Sequence, residues 1–156
     1  MFKKILVAQD GSKGSARVLP LAMAMAEEAE AEIVIAHVDE QTIGKGGGSL
    51  NALDGELREQ LRARANELTA NGIATSFESR SVMVGGPAPV LAEIADTVGA
   101  DLIVAGTRGH SPLSGLMLGS VAQRLLHVAH QPVLLVPESA DVSKSLDRPA
   151  LAAAGA

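Results

Sequence analysis

Residues 106–120 read Gly-Thr-Arg-Gly-His-Ser-Pro-Leu-Ser-Gly-Leu-Met-Leu-Gly-Ser, and their types and spacing suit the binding of an anion. The stretch follows the apolar run Leu102-Ile103-Val104-Ala105 and precedes a helical pattern that begins at Ser120. Gly106 and Gly109 therefore fall in a turn at the carboxyl end of a strand, and Gly119-Ser120 opens a helix. Glycine lets backbone N–H groups approach an anion with no Cβ in the way. A helix N-terminus adds unbonded N–H donors and a partial positive charge. The spacing suggests a phosphate cradle in two pieces, closed by the Ser120 hydroxyl. It is not a Walker A loop, because no Gly-Lys-Ser/Thr follows the glycines at the required offset.

Such a cradle needs a frame, and the pattern of apolar residues supplies one. Residues 5–8, 33–38, 102–105 and 133–136 are short apolar runs without polar alternation, as expected of parallel strands covered on both faces. Residues 75–84 form a less apolar strand, placed nearer an edge. Between the strands lie helical stripes. Leu53, Leu57, Leu61, Ala65 and Leu68 make one, stopped by Asn71-Gly72. Val90, Leu91, Ile94, Ala95 and Val98 make another, entered through Pro87 and ended at Gly99. Val121, Leu125, Val128 and Ala129 make a third, ended before Pro132. The first helix, about residues 15–30, contains Pro20, which costs about 3 kcal/mol inside a helix. The expectation is a helix that begins before Pro20 and tolerates it in an early turn. Alternation of strand and helix predicts an open parallel α/β sheet with right-handed crossovers. Residues 1–138 read as one domain; 41–50 read as a flexible surface loop and 139–156 as a tail that adds nothing to the core.

Composition narrows the function. A formal net charge of −5, with two Phe and no Tyr or Trp, argues against a nucleic-acid binder, which needs a basic face and stacking platforms. The absence of Cys excludes disulfides, thiolate metal sites and Cys nucleophiles. The start Met1-Phe2-Lys3-Lys4 leads into an apolar run too short for a signal sequence, and no segment approaches the ~20 apolar residues of a membrane span. A cytoplasmic protein is expected, with no membrane partner. Arg108, His110 and Lys13 are cations near the cradle, read as solvated loop side chains or as phosphate contacts. His127 and His130 lie three apart on the last helix without a third ligand, so no metal site is expected. His37 reads as a strand histidine satisfied by backbone, Met23 and Met25 as core, and Glu27, Glu28, Glu30 and Glu32 as a solvated helix end.

With these features assembled, the chain resembles the universal stress protein family. The hallmark is Gly-x-x-Gly, nine residues, then Gly-Ser/Thr; here it is Gly106-Thr107-Arg108-Gly109, residues 110–118, Gly119-Ser120. An Asp ends the first strand in Ile5-Leu6-Val7-Ala8-Gln9-Asp10, the second ends in Ala36-His37-Val38, and Gln131-Pro132 and Pro137 flank the last. The likeness covers about residues 2–137. It implies a Rossmann-like five-stranded sheet in the order 3-2-1-4-5 with helices on both faces, of the adenine nucleotide alpha hydrolase-like kind. In that order Asp10 and Gly106 flank the topological switch point, where ligands enter open α/β sheets.

Carried over by position, the resemblance implies that Asp10 bonds the ribose or adenine end of ATP, with Ala8 and Gln9 lending backbone to the pocket. Val38 would line the adenine pocket, and Gly106 and Gly109 would leave room for ribose and phosphates. Gly119, Ser120 and Val121 would hold the phosphates, with Arg108 beside them and Mg2+ as a companion ion. Ala122 stands where some members carry a hydroxyl, which removes one phosphate contact. No catalytic residue is assigned: no paired carboxylates are read around the cradle, so any ATP hydrolysis is expected to be slow and incidental. The reading is an ATP-binding regulatory module of the stress response that acts as a homodimer through the edge of strand 5. The alternatives are a nucleotide-independent dimeric interaction protein, or a binder of another adenine nucleotide such as cyclic AMP.

Overall fold

The apolar runs become the strands of one parallel sheet. The computed structural model describes residues 1–41, 51–109 and 117–142, with residues 51–53 described for their backbone alone. In chain order the elements are β1 (Lys4–Ala8), α1 (Lys13–Ala16), α2 (Val18–Ala29), β2 (Glu32–Glu40), α3 (Asn51–Ala70), β3 (Thr75–Val82), α4 (Pro87–Val98), β4 (Leu102–Gly106), α5 (Ser120–Val128) and β5 (Val133–Val136). The five strands pair in the order β3-β2-β1-β4-β5, every pair parallel, as the resemblance implies.

Side chains alternate across the sheet and so divide the core in two. Ile5, Val7, Ile33, Ile35, Leu102 and Val104 pack with Val18 and Ala22 of α2 and Leu61 and Leu68 of α3. On the other face Leu6, Ala36, Ile103 and Ala105 pack with Leu91 and Ile94 of α4 and Leu125 of α5. Coverage on both faces is why the strand sequences show no polar alternation. Met23 and Met25 pack against the first cluster, as expected of core methionines.

Two local features differ in detail from the sequence reading. Pro20 does sit in the first turn of α2, where its missing N–H leaves no helical bond unmade. The helix is, however, interrupted at Arg17, and the preceding turn α1 stands apart, capped by the Ser12 hydroxyl, which accepts from the Ser15 N–H at 3.1 Å. Strand β3 lies at the sheet edge as expected but ends at Val82, two residues short of the predicted limit; Met83 and Val84 are exposed.

The Asp101 carboxylate fastens the start of β1 beside that of β4, accepting from Lys3 N at 2.7 Å and Lys4 N at 3.1 Å. On the surface, Asp96 at the end of α4 accepts from Gln131 Nε2 at 2.6 Å and pairs with His130 Nδ1 at 3.0 Å. The Gln131 bond first, and then His130, hold the Asp96 carboxyl below its ordinary range. The loop reading for 41–50, bar residue 41, and most of the tail lie outside the described residues. Among the described residues no helix is long and apolar enough to cross a membrane.

Candidate functional site

At the carboxyl edge of the sheet β1 stops at Ala8, while β2 on one side runs on to Glu40 and β4 on the other leads into the glycine segment. The connections leave in opposite directions from this point, which opens a cleft of about 320 Å³. All ten residues singled out from the sequence line it. Ala8 ends β1, and Gln9 and Asp10 follow it; Val38 comes from β2; Gly106 ends β4, and Arg108 and Gly109 follow it; Gly119 caps α5, which Ser120 and Val121 begin.

Local bonds hold several of them in place. Gln9 is buried, and its side chain donates from Nε2 to the Ser15 carbonyl at 2.8 Å, tying the end of β1 to α1. Asp10 Oδ1 accepts from the Ser12 N–H at 2.9 Å, an Asx turn that fixes the carboxylate at the cleft floor. Ser12 is thereby a capping and turn residue. The segment after β4 continues the sheet by one bond, Thr107 N to the Val136 carbonyl at 3.0 Å. Its Thr107 carbonyl then accepts from Gly119 N at 2.7 Å and brings the two glycine segments together.

That last bond corrects one expectation. The Gly119 N–H is committed to Thr107 and is no free donor for a phosphate. The first helical bond of α5 is Gln123 N to the Gly119 carbonyl at 2.9 Å. The amides of Ser120, Val121 and Ala122 are therefore the ones a helix cannot satisfy itself, and these residues line the cleft. Gly119 contributes clearance: a Cβ there would come within 3.2 Å of the Thr107 carbonyl oxygen.

Clearance also explains the rest of the glycine pattern, from a side chain at Gly109 and from backbone at Gly106. A Cβ on Gly109 would lie 2.5 Å from Asp10 Oδ2, and one on Gly106 3.1 Å from the Arg108 carbonyl oxygen. The sequence reading missed Gly14, whose Cβ would stand 2.6 Å from that same Arg108 oxygen. Its signal was the small-residue run Gly11-Ser12-Lys13-Gly14-Ser15 directly after β1. Of the three cations expected near the cradle, Arg108 lines the cleft; Lys13 lies in an adjoining hollow with Arg17 and Arg108. His110 lies outside the described residues.

The far wall holds groups the sequence reading did not count. Glu40 and Asp54 line the cleft on its β2 side, across β1 from the glycine cradle; Asp54 arrives on α3 from outside the motif region. His37 is only half as expected. Its Nδ1 donates to the Gln9 carbonyl at 2.7 Å, but its Nε2 faces Asp39 Oδ1 at 2.7 Å. Arg58 Nη1 holds the other oxygen of Asp39 at 2.8 Å. The readable signal was His37-x-Asp39, since residues two apart on a strand share a face.

Comparison with known proteins places this architecture. The family model described as the universal stress protein family matches residues 1–137. A universal stress protein of Thermus aquaticus is 35% identical over 138 residues, covering 87% of this chain and 99% of the relative. The universal stress protein YxiE of Bacillus subtilis is 32% identical over 151 residues, covering 87% and 99%. Among solved structures, a universal stress protein in complex with cAMP superposes with a TM-score of 0.62 at 30% identity, covering 88% of this chain and 98% of that one. With the glycine spacing, the sheet order and these matches in agreement over one stretch of sequence, the chain belongs to the universal stress protein family.

Proposed function

We propose that the chain is an adenine-nucleotide-binding regulatory module that takes ATP into this cleft, with Mg2+ on the phosphates, and works as a homodimer. One observation carries the reading: the first-turn amides of α5, without a partner among the described residues, belong to the same cleft as the Asp10 carboxylate. The amides and the helix dipole suit a polyphosphate, and a fixed carboxylate suits the hydroxyls of a ribose. The volume of about 320 Å³ falls within the range of small-ligand pockets. The complex of a 30%-identical relative with cAMP supports an adenine nucleotide as the ligand class. It also favours a second reading, cyclic AMP in place of ATP. Mass spectrometry of the nucleotide released on denaturation is the test. ATP in the purified protein, displaced by added ATP more readily than by cyclic AMP, is the expected result; a protein that stays empty in millimolar ATP would overturn it.

The proposal includes no efficient hydrolysis. Glu40 and Asp54 belong to the β2 side of the cleft and the phosphate-binding amides to the β4 side, with β1 between them. That separation supports slow hydrolysis, which needs a group beside the terminal phosphate to orient the attacking water. Phosphate release should stay below one equivalent over hours; sustained turnover that disappears with Ser120→Ala would refute this.

The dimer rests on the outer edge of β5, which pairs with no strand among the described residues. Thr107 N and Ile103 N bond the Val136 and Pro132 carbonyls, so the backbone groups of Val133 and Leu135 turn away from β4. An apolar, unpaired edge favours a second strand across a two-fold axis. Light scattering at micromolar concentration should give twice the 15.9 kDa chain mass. A monomer there would exclude it.

A further inference from the structure

Both ring nitrogens of His37 face oxygen acceptors. Nδ1 is 2.7 Å from the Gln9 carbonyl oxygen, which can only accept, so Nδ1 carries a proton. In a neutral ring Nε2 is then a bare lone pair, and it looks at carboxylates: Asp39 Oδ1 at 2.7 Å and Asp54 Oδ1 at 4.0 Å. The side chains of His37 and Asp39 are 4% and 6% exposed. Close as they are, Nε2 and Asp39 Oδ1 are not aligned for a hydrogen bond, and among the described residues neither has another hydrogen-bond partner. Buried polar atoms of this kind require one. A proton on Nε2 would need the alignment that is missing. A cation among the three atoms answers all of them without regard to the direction of an N–H.

We propose that His37 Nε2, Asp39 Oδ1 and Asp54 Oδ1 hold a divalent first-row transition-metal ion, with Zn2+ the best match to the donors. The three donor atoms lie within 4.8 Å of one another. One imidazole with two carboxylates suits zinc, whereas calcium and magnesium prefer oxygen alone. The surroundings are those of a metal site. The Nδ1–H bond to a backbone carbonyl fixes the ring with Nε2 forward, and Arg58 Nη1 orients Asp39 through its other oxygen. Two carboxylates against one guanidinium leave a negative surplus for the ion. Loading it would spread Nε2 and Asp39 Oδ1 to about 3.3 Å, the edge of a tetrahedron with bonds near 2.0 Å. His37 and Asp54 both line the cleft, so the fourth position opens towards its ligand. The donors come from β2 and α3, away from the glycine segments, and the site stands whether or not the cleft takes ATP.

The test is titration of the full chain with Zn2+ alone against a fluorescent chelator. The background carries His110→Gln, His127→Gln and His130→Gln, which removes surface sites such as the His130–Asp96 pair. One ion per chain is expected, held against millimolar Mg2+. Removing even an outer-shell partner costs roughly 10–100-fold in affinity, so His37→Gln or Asp54→Asn should cost about 100-fold or more. The Asp54 side chain is 35% exposed, so Asp54→Asn keeps the question answerable if a change at the buried His37 disturbs folding. The Nε2 nitrogen resonance of His37 should move on loading. Binding that is absent or unsaturable, binding that Asp54→Asn leaves unchanged, or a resonance that stays put would each overturn the site.

Discussion

Gly109→Val is expected to empty the cleft of nucleotide while leaving the chain folded. The added Cβ would fall 2.5 Å from Asp10 Oδ2, and Asp10 has little freedom to retreat because its other oxygen is bonded to the Ser12 N–H. Either the carboxylate leaves the floor of the cleft or the segment after β4 lifts away from it. A lost hydrogen bond to a charged group is worth about 1.5–3 kcal/mol, roughly ten- to a hundredfold in affinity. The two γ-methyls add bulk at the mouth. Gly109 is itself exposed, so thermal unfolding should move little. Asp10→Ala should lose affinity to a similar extent by removing the same group. Isothermal titration with ATP beside a melting curve separates the effects. Unchanged affinity in both variants would detach Asp10 and Gly109 from ligand binding.

Gly14→Ala should destabilise the fold, although alanine is the better helix former. The helical gain is at most about 1 kcal/mol, and α1 spans only four residues. Against it stands a Cβ 2.6 Å from the Arg108 carbonyl oxygen, a backbone atom that no rotamer change can move. Gly106 is packed against the same spot, with its own absent Cβ 3.2 Å from the Gly14 carbonyl carbon. Overpacking of this kind costs about 1–3 kcal/mol. The net loss is therefore about 1–2 kcal/mol, or roughly 2–8 °C in melting temperature for a domain of this size. Because the strain falls on Arg108, nucleotide affinity should drop in parallel. A variant as stable as the parent, with unchanged affinity, would show that α1 and the Arg108 segment can move apart freely.

These two glycines show how far the sequence could be read. The spacing of Gly106, Gly109 and Gly119 located the cleft because close backbone approach can be met only by glycine, whatever folds around it. The apolar runs located the strands because a parallel sheet buried on both faces leaves no room for polar alternation. Three things were not legible. The break at Arg17, where the N–H turns to the Gly14 carbonyl three residues back at 3.4 Å, is a local choice of hydrogen-bond partner that the apolar spacing does not record. The commitment of the Gly119 N–H to Thr107 is a contact between loop ends, which spacing does not record. The His37–Asp39–Asp54–Arg58 cluster joins a strand to a helix beyond the 41–50 loop, and only the position of α3 brings Asp54 and Arg58 to it.

The central place of β1 also bears on how the molecule comes into being. Its pairing with β2 can form once residue 40 has been made, but its other edge waits for β4, at residues 102–106. Even its first amides wait for Asp101. A growing chain therefore carries an open strand edge at its centre through most of synthesis, and domains fold as units as their residues emerge. The cleft is the seam closed last. A chain cut short before residue 102 would keep Asp10 and yet have no place to bind, and its bare β1 edge would be free to pair with a neighbour on the same message.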